Sequence, residues 1–243
     1  MRVLAVSPHL DDAAFSVGGT LAALADAGHE VTVVTCFTRS VPDPTGFALA
    51  CQLDKGLPAD VDYMALRRAE NAAATAVLGA TAVDLDLPEA PHRGYADALD
   101  LFAGVHPRDD VWRAVAEQLA GLDADLDADL WLAPQALGAH VDHVQVLRAV
   151  AALDRPTLWW RDSPYVLRQP AAVPGAALPG RSEAVELPQL PDRRADACAC
   201  YTTQLGFQFG GEAGMRSALA GLAEVLLAGP AARDVLAAVT GAP

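Results

Sequence analysis

The sequence predicts an α/β fold, a Rossmann-like three-layer architecture with a mostly parallel sheet, on three observations. Strand-like apolar runs alternate with helical patterns as far as Trp160, the signature of helices layered on a parallel sheet. The first strand, helix and second strand follow closely enough to form one βαβ unit with a right-handed crossover. Two polar clusters fall directly after strand-like runs, where open α/β sheets place their ligands. The functional counterpart is a metal site at the C-terminal ends of the strands. With 243 residues, 52% of them hydrophobic, the chain can bury a sizeable core. The expected organisation is a single domain, 1–243, with 1–165 as the Rossmann-like core. Residues 166–243 are then an extended segment and a helical tail packed on that core.

Each element has its own signal. Val3–Val6 is a short apolar run, read as the first strand. Phe15–Ala27 has helical spacing, with Gly18-Gly19 in its first half and Gly28 placed to end it. Val31–Phe37 is β-branched and apolar, the second strand. Ser40–Pro58 carries Pro42, Pro44, Gly46, Gly56 and Pro58 and reads as a long loop, a common form for lids and binding loops. Tyr63–Leu78 predicts a helix closed by Gly79, and Ala82–Leu87 a third strand. Pro88–Pro107 reads as loop. Asp109–Gly121 predicts a helix whose first acidic residues suit the positive end of its dipole. Asp129–Ala133 is the fourth strand, Val141–Leu153 a helix and Thr157–Trp160 the fifth strand. Beyond that, Gln169–Pro191 is rich in Pro, Ala and Gly and predicted extended. Arg193–Leu205 and Glu212–Ala228 are predicted helical, with a short helix near Ala231–Val239. This tail is expected to pack over the face that holds the polar clusters.

Composition narrows the function. A net charge of −14 argues against nucleic acid and anionic membrane surfaces as partners, because phosphate contacts need an excess of Lys and Arg. No apolar run reaches the ~18–20 residues of a membrane span. The chain starts on a strand with no basic, apolar leader, so a cytoplasmic location is expected. Cys36, Cys51, Cys198 and Cys200 are too few for a disulfide scaffold. Cys198-Ala199-Cys200 favours a buried structural role over a metal or redox role. A homo-oligomer stays open.

The chemistry sits in the clusters Ser7-Pro8-His9-Leu10-Asp11-Asp12 and His140-Val141-Asp142-His143. A hydrolytic metal site uses three ligands from His and Asp or Glu and leaves one position for water. The first cluster offers His9, Asp11 and Asp12, the second His140 and His143, which share a helix face. A helix N-terminus disfavours imidazolium, which helps a metal ligand. A capped turn would also explain adjacent aspartates after a strand. Two such clusters at the ends of parallel strands in one chain strengthen the metal reading beyond either alone.

These residues resemble the PIG-L/LmbE-like, zinc-dependent de-N-acetylase family. The likeness rests on Pro-His-x-Asp-Asp at Pro8 to Asp12, on His-x-Asp-His at His140 to His143, and on Arg67-x-x-Glu70 leading into Leu78-Gly79. The resemblance implies that His9, Asp12 and His143 hold one Zn2+ per chain. It implies Asp11 as the general base and His140 as the group that stabilises the oxyanion or protonates the leaving amine. Asp142 would orient and charge that imidazole. A two-His, one-carboxylate set also suits Fe(II), Co(II) or Mn(II). Leu87-Pro88-Glu89-Ala90 stands where the family has Leu-Pro-Asp-Gly. Trp160-Arg161-Asp162-Ser163-Pro164-Tyr165 resembles the Tyr-Glu-Asp-x-Pro-Tyr of one branch, and Tyr201-x-x-Gln204 the family's Tyr-x-Ser-Gln, with Thr203 for Ser. Arg67, Glu89, Arg93 and Tyr165 are the expected substrate contacts, with Arg67 open to a substrate anion or hydroxyl or to Glu70 one turn on. The implied reaction is hydrolysis of an N-acyl group, most often acetyl, on a sugar-like small molecule. A tailoring deacylase, a thiol-conjugate amidase or a non-catalytic sugar-binding homologue are the alternatives.

Overall fold

The structure, a computed structural model, describes residues 1–180 and 182–240. Seven strands are found among the described residues: β1 (Arg2–Ser7), β2 (Glu30–Thr35), β3 (Thr81–Asp84), β4 (Leu130–Pro134), β5 (Thr157–Trp160), β6 (Glu183–Val185) and β7 (Leu226–Ala228). They form one sheet in the order β3-β2-β1-β4-β5-β7-β6. The first five pair in parallel; β7 runs antiparallel to β5, and β6 to β7. The fold class is therefore the expected one, with an antiparallel edge contributed by the tail.

Side-chain alternation assigns the two faces. Val3, Ala5, Leu130, Leu132 and Leu158 meet a layer formed by α1 (Asp12–Asp26), α3 (Tyr63–Leu78), α7 (Pro191–Ala199), α8 (Thr202–Phe209), α9 (Glu212–Ala220) and α10 (Pro230–Thr240). Leu4, Val6, Trp131, Ala133 and Trp159 meet α4 (Trp112–Leu126) and α5 (Val141–Leu153). Strands covered on both faces read as continuous apolar runs, which is why β1 and β4 stood out in the sequence.

Several boundaries differ from expectation. The 40–58 segment holds a helix, α2 (Gly46–Leu53); its prolines and glycines only flank the apolar stretch from Phe47 to Leu53. β3 stops at Asp84, and Asp86 makes only an isolated bridge to Phe37. Short 3₁₀ turns at Ala90–His92 and Asp100–Phe102 punctuate the next loop. α4 starts at Trp112 because Asp109 is tied to Arg93 and Tyr95; it passes Gly121 and ends where Asp127 turns left-handed at φ +46°. Near Tyr165–Arg168 the chain makes one helical turn, α6. The largest correction is Leu226–Ala228, predicted helical and found as β7. Burial of Leu226 and Ala228 beside β5 overrides local helical preference. Of the expected tail helix at Glu212–Ala228, only Glu212–Ala220 forms, and residues 241–243 and 181 lie outside the described residues.

α1 carries a kink. Val17 sits at φ −141°, ψ 19°, outside helical geometry, and the backbone N–H groups of Gly19 and Thr20 go instead to Glu224 at 2.7 and 2.6 Å. A Cβ on Gly19 would lie 2.8 Å from Glu224 Oε1 and 3.1 Å from Leu190 N. Glycine is therefore required where α7 and the chain after α9 close over α1.

Candidate metal centre and active site

The sheet order reverses between β1 and β4, which makes that junction the topological switch point where doubly wound folds bind ligands. β1 delivers His9, Asp11 and Asp12 to the junction and β4 delivers the loop to His140. That loop is bent tightly: Ala136, Gly138 and Ala139 have φ of +56°, +85° and +61°. A Cβ on Gly138 would meet the Tyr165 ring at 3.1 Å. His140 then caps α5, its Nδ1 accepting from the Asp142 backbone N–H at 3.2 Å. In the neutral ring this acceptance leaves the hydrogen on Nε2.

Three imidazoles meet here, with ring centroids 5.2 Å (His9–His140), 5.3 Å (His9–His143) and 5.4 Å (His140–His143) apart. Asp12 Oδ2 lies 3.1 Å from His9 Nδ1 and 3.2 Å from His143 Nε2. His143 is buried, its Nδ1 lies 2.7 Å from Asp162 Oδ1, and its Nε2 has no hydrogen-bond partner despite the nearby carboxylate. One Asp12 oxygen thus faces a ring nitrogen of each of two imidazoles. A tetrahedral ion with bonds of about 2.0–2.2 Å separates adjacent ligand atoms by about 3.3–3.5 Å, so His9, Asp12 and His143 fit such an ion. The charges agree. Burial opposes ionisation of Asp12, but His143 and His9 outweigh it and hold its carboxyl well below the usual range. Burial lowers the His143 pKa, yet Asp12 and Asp162 push it up to about 9; His9 rises for the same reason, through Asp12 and Asp142. Asp162, which also accepts from Leu137 N at 2.9 Å, fixes the His143 tautomer as carboxylates behind metal-bound histidines do. A second grouping, His9 with His140 and Asp142, fits less well, because both Asp142 oxygens are already engaged.

Asp11 points away from Asp12. Its Oδ1 meets Arg67 Nη2 at 3.2 Å and its Oδ2 accepts from Gln208 Nε2 at 3.0 Å. Burial raises its pKa, with Arg67 pulling the other way. His140 is held neutral: burial, joined by the neighbouring imidazoles, lowers its pKa to about 3 against the pull of Asp142.

The expected roles of the outer residues are redistributed. The Asp142 carboxylate does not bond the His140 ring. Its Oδ2 lies 2.9 Å from His9 Nε2 and accepts from Ala90 N at 3.1 Å, while Oδ1 lies 2.7 Å from Arg93 Nη2. Only the Asp142 backbone reaches His140. Arg93, expected as a substrate contact, lies behind Asp142 and is absent from the cavity wall; Asp142, Asp109 and the Pro88 carbonyl saturate it. Arg67 lines the cavity but pairs with Asp11 and with Glu89 at 2.6 Å, not with Glu70. Glu70 instead caps the start of α8 through Thr202 and Thr203. Glu89 and Tyr165 do line the cavity. The cavity measures about 330 Å³ and has an aromatic wall in which Phe102 meets His140 at 5.3 Å and Tyr165 meets His143 at 5.2 Å. Lys55, Tyr63, Phe207 and Gln208, which sequence reasoning did not single out, complete it.

A Rossmann-like α/β protein with a His-Asp-His centre at its switch point and a carboxylate poised beside it has the make-up of a metallohydrolase. The chain belongs to the GlcNAc-PI de-N-acetylase (PIG-L) family, whose model matches residues 4–153. It is 38% identical over 170 residues to 2'-N-acetylparomamine deacetylase of Streptomyces fradiae, an alignment covering 68% of this chain and 57% of that protein. The chain thus spans little more than half the length of that relative. The zinc-inhibited form of teicoplanin deacetylase superposes with a TM-score of 0.77 at 26% identity, over 93% of this chain and 97% of that one. A pseudoaglycone deacetylase of an antimicrobial reagent gives 0.73 at 28%, over 93% and 96%.

Proposed function

We propose that this protein is a metal-dependent deacetylase that removes an N-acetyl group from the amine of a sugar-like small molecule or sugar-bearing natural product. The observation that carries the reading is the convergence of His9, Asp12 and His143 beside Asp11. The relatives' names support it and favour a tailoring role. His9, Asp12 and His143 would hold the ion, with zinc as the expected metal. When bound there, a divalent cation supplies Lewis acidity, polarising a carbonyl and lowering the pKa of water. Asp11 takes the proton from the attacking water, a role suited by a carboxyl raised through burial and fixed by Arg67 and Gln208. Neutral His140, with its hydrogen on Nε2, donates to the amide oxygen as negative charge develops there; as the C–N bond breaks, the proton taken up by Asp11 passes to the departing nitrogen, giving acetate and the free amine. Glu89 holds Arg67 against Asp11, and Tyr165 and Phe102 wall the site against water.

The test is acetate release from a panel of N-acetylated aminosugars and natural-product scaffolds. It is run at one equivalent of Zn(II), Fe(II), Co(II) or Mn(II) and again at excess zinc. Asp11→Ala is expected to bind the metal normally and lose more than ~100-fold in rate. His143→Ala is expected to lose the metal. Full activity in Asp11→Ala would remove Asp11 as the base.

A further inference from the structure

Four basic side chains stand at or directly behind the cavity, and they divide into two pairs. Arg67 is engaged by Asp11 and Glu89, and Arg93 by Asp109 and Asp142. Lys55 and Arg168 both line the cavity, and among the described residues neither forms an ion pair. Lys55 Nζ donates to the Cys51 carbonyl at 2.9 Å and lies 5.3 Å from the Tyr63 ring centroid and 5.0 Å from that of Phe207. Arg168 Nη2 reaches the Gln208 carbonyl at 3.5 Å. The two cations therefore contact consecutive residues of α8, Phe207 and Gln208, in a cavity that His9 and Asp12 also line.

Lys55 is also the only lysine in the chain; the other sixteen basic residues are arginines. The single lysine side chain of this sequence is half-buried in the cavity wall. Withdrawing an ammonium from water without a counter-ion is costly. Two ring faces offset part of that cost but use none of its N–H donors. One donor is used by Cys51, so two remain free. Asp54 lines the same cavity without pairing with Lys55, and Glu89 and Asp11 act on the ammonium only from beyond ion-pair distance.

We infer that Lys55 and Arg168 form an anion-reading rim. The substrate accepted best then carries a carboxylate or a phosphate besides its N-acetyl group. This inference rests on the deacetylase reading and adds the charge of the substrate to it. A compact point charge on a flexible stem accepts either anion, whereas Arg67 and Arg93 are already paired with fixed protein carboxylates.

Four probes separate the outcomes on the metal-loaded protein: N-acetylglucosamine (neutral), N-acetylmuramic acid (carboxylate), N-acetylglucosamine 6-phosphate (phosphate) and mono-N-acetylchitobiose (free amine). At least one anionic probe is expected to exceed the neutral one about tenfold or more in kcat/KM, mainly through KM. That advantage should shrink with salt. Lys55→Met should cut the advantage below about threefold, Arg168→Met should weaken it further, and Lys55→Arg should keep most of it. No anion preference in the wild type, a preference for the amine-bearing probe, or an unchanged preference in Lys55→Met would each overturn the proposal. Binding gives an independent measurement. The chain has two amines, Lys55 and the Met1 α-amino group, so reductive methylation read by mass spectrometry resolves them separately. The best anionic probe should slow Lys55 methylation at least threefold and leave Met1 unchanged; equal rates would overturn the rim. If no probe releases acetate, the deacetylase reading fails, while Lys55 protection still decides the rim.

Discussion

Arg93 shows how a residue's neighbours can reverse its role. In the sequence it lies in a loop beside His92, Gly94 and Tyr95 and suits a substrate contact. In the fold its guanidinium bridges Asp109 at 3.0 Å and Asp142 at 2.7 Å, and Asp142 in turn holds His9 at 2.9 Å. The chain Arg93–Asp142–His9 orients a proposed metal ligand from behind. Arg93→Met is therefore expected to weaken metal affinity about 10–100-fold, measured by competition with a chelator, while leaving substrate KM in metal-saturated enzyme unchanged. A normal metal affinity with a raised KM would restore Arg93 as a substrate contact. Asp109 gives this network an acid sensitivity. Burial opposes its ionisation, but Arg93 outweighs burial and holds its folded pKa below the usual range. A group depressed in the folded state stabilises the protein above its unfolded pKa, near 4, and loses that contribution as pH falls through the folded value. Asp109→Asn should flatten the dependence of stability on pH below about pH 4. The residues proposed to hold the metal could be picked out because their motifs are local and follow strands, and the fold brings them together. Asp162 behind His143, Gln208 on Asp11 and the true partners of Arg93 could not, since each contact joins distant parts of the chain.

At the scale of elements, the boundaries of α3, α5 and β5 coincide with the sequence reading. Their determinants are local: Asp62 accepting from Ala65 N and left-handed Gly79 for α3, His140 as the cap of α5, and a short apolar, aromatic run opened by Thr157 for β5. α1 is different. Its helical pattern is plain, but its kink at Val17 is completed by Glu224. Glu224 is buried with Arg194, whose Nε lies 3.4 Å from Oε1, and Arg194 also donates to the Leu222 and Phe15 carbonyls. Gly18 and Gly19 were visible in sequence; what confines them, Arg194 against Gly18 and Glu224 against Gly19, lies far along the chain. Glu224→Ala would strip the acceptor from two backbone N–H groups and leave Arg194 buried without its charge partner. The expected cost is about 3–5 kcal/mol, read as a lower urea midpoint with unchanged m-value. A loss below about 1 kcal/mol would show that the backbone carbonyls suffice for Arg194.

The whole molecule depends on the tail more than an extended segment and helices packed on a finished core would imply. The alternating pattern up to Trp160 predicts five parallel strands, and those five are present. The tail then adds two more strands and places Ala197, Tyr201, Leu205, Met215 and Leu226 in the same core cluster as Val3, Phe15 and Trp160. It also supplies Gln204, Phe207 and Gln208 to the cavity. Its contribution was hard to read because its strands are three residues long and its helices are short, so packing rather than local pattern decides their state. A chain ending at residue 165 would keep all three proposed metal ligands in sequence. It would nevertheless leave one edge of β5 unpaired and much of the α1 face exposed. We expect this truncation to bind a hydrophobic dye, to lose a cooperative urea transition and to hold metal far more weakly than the full chain. A sharp transition with native metal affinity would instead make residues 1–165 a self-sufficient domain and the tail a detachable cover. Asp11 argues against that outcome, because one of its two oxygens is held by Gln208 from the tail. The proposed base is therefore assembled only when both parts of the chain are in place.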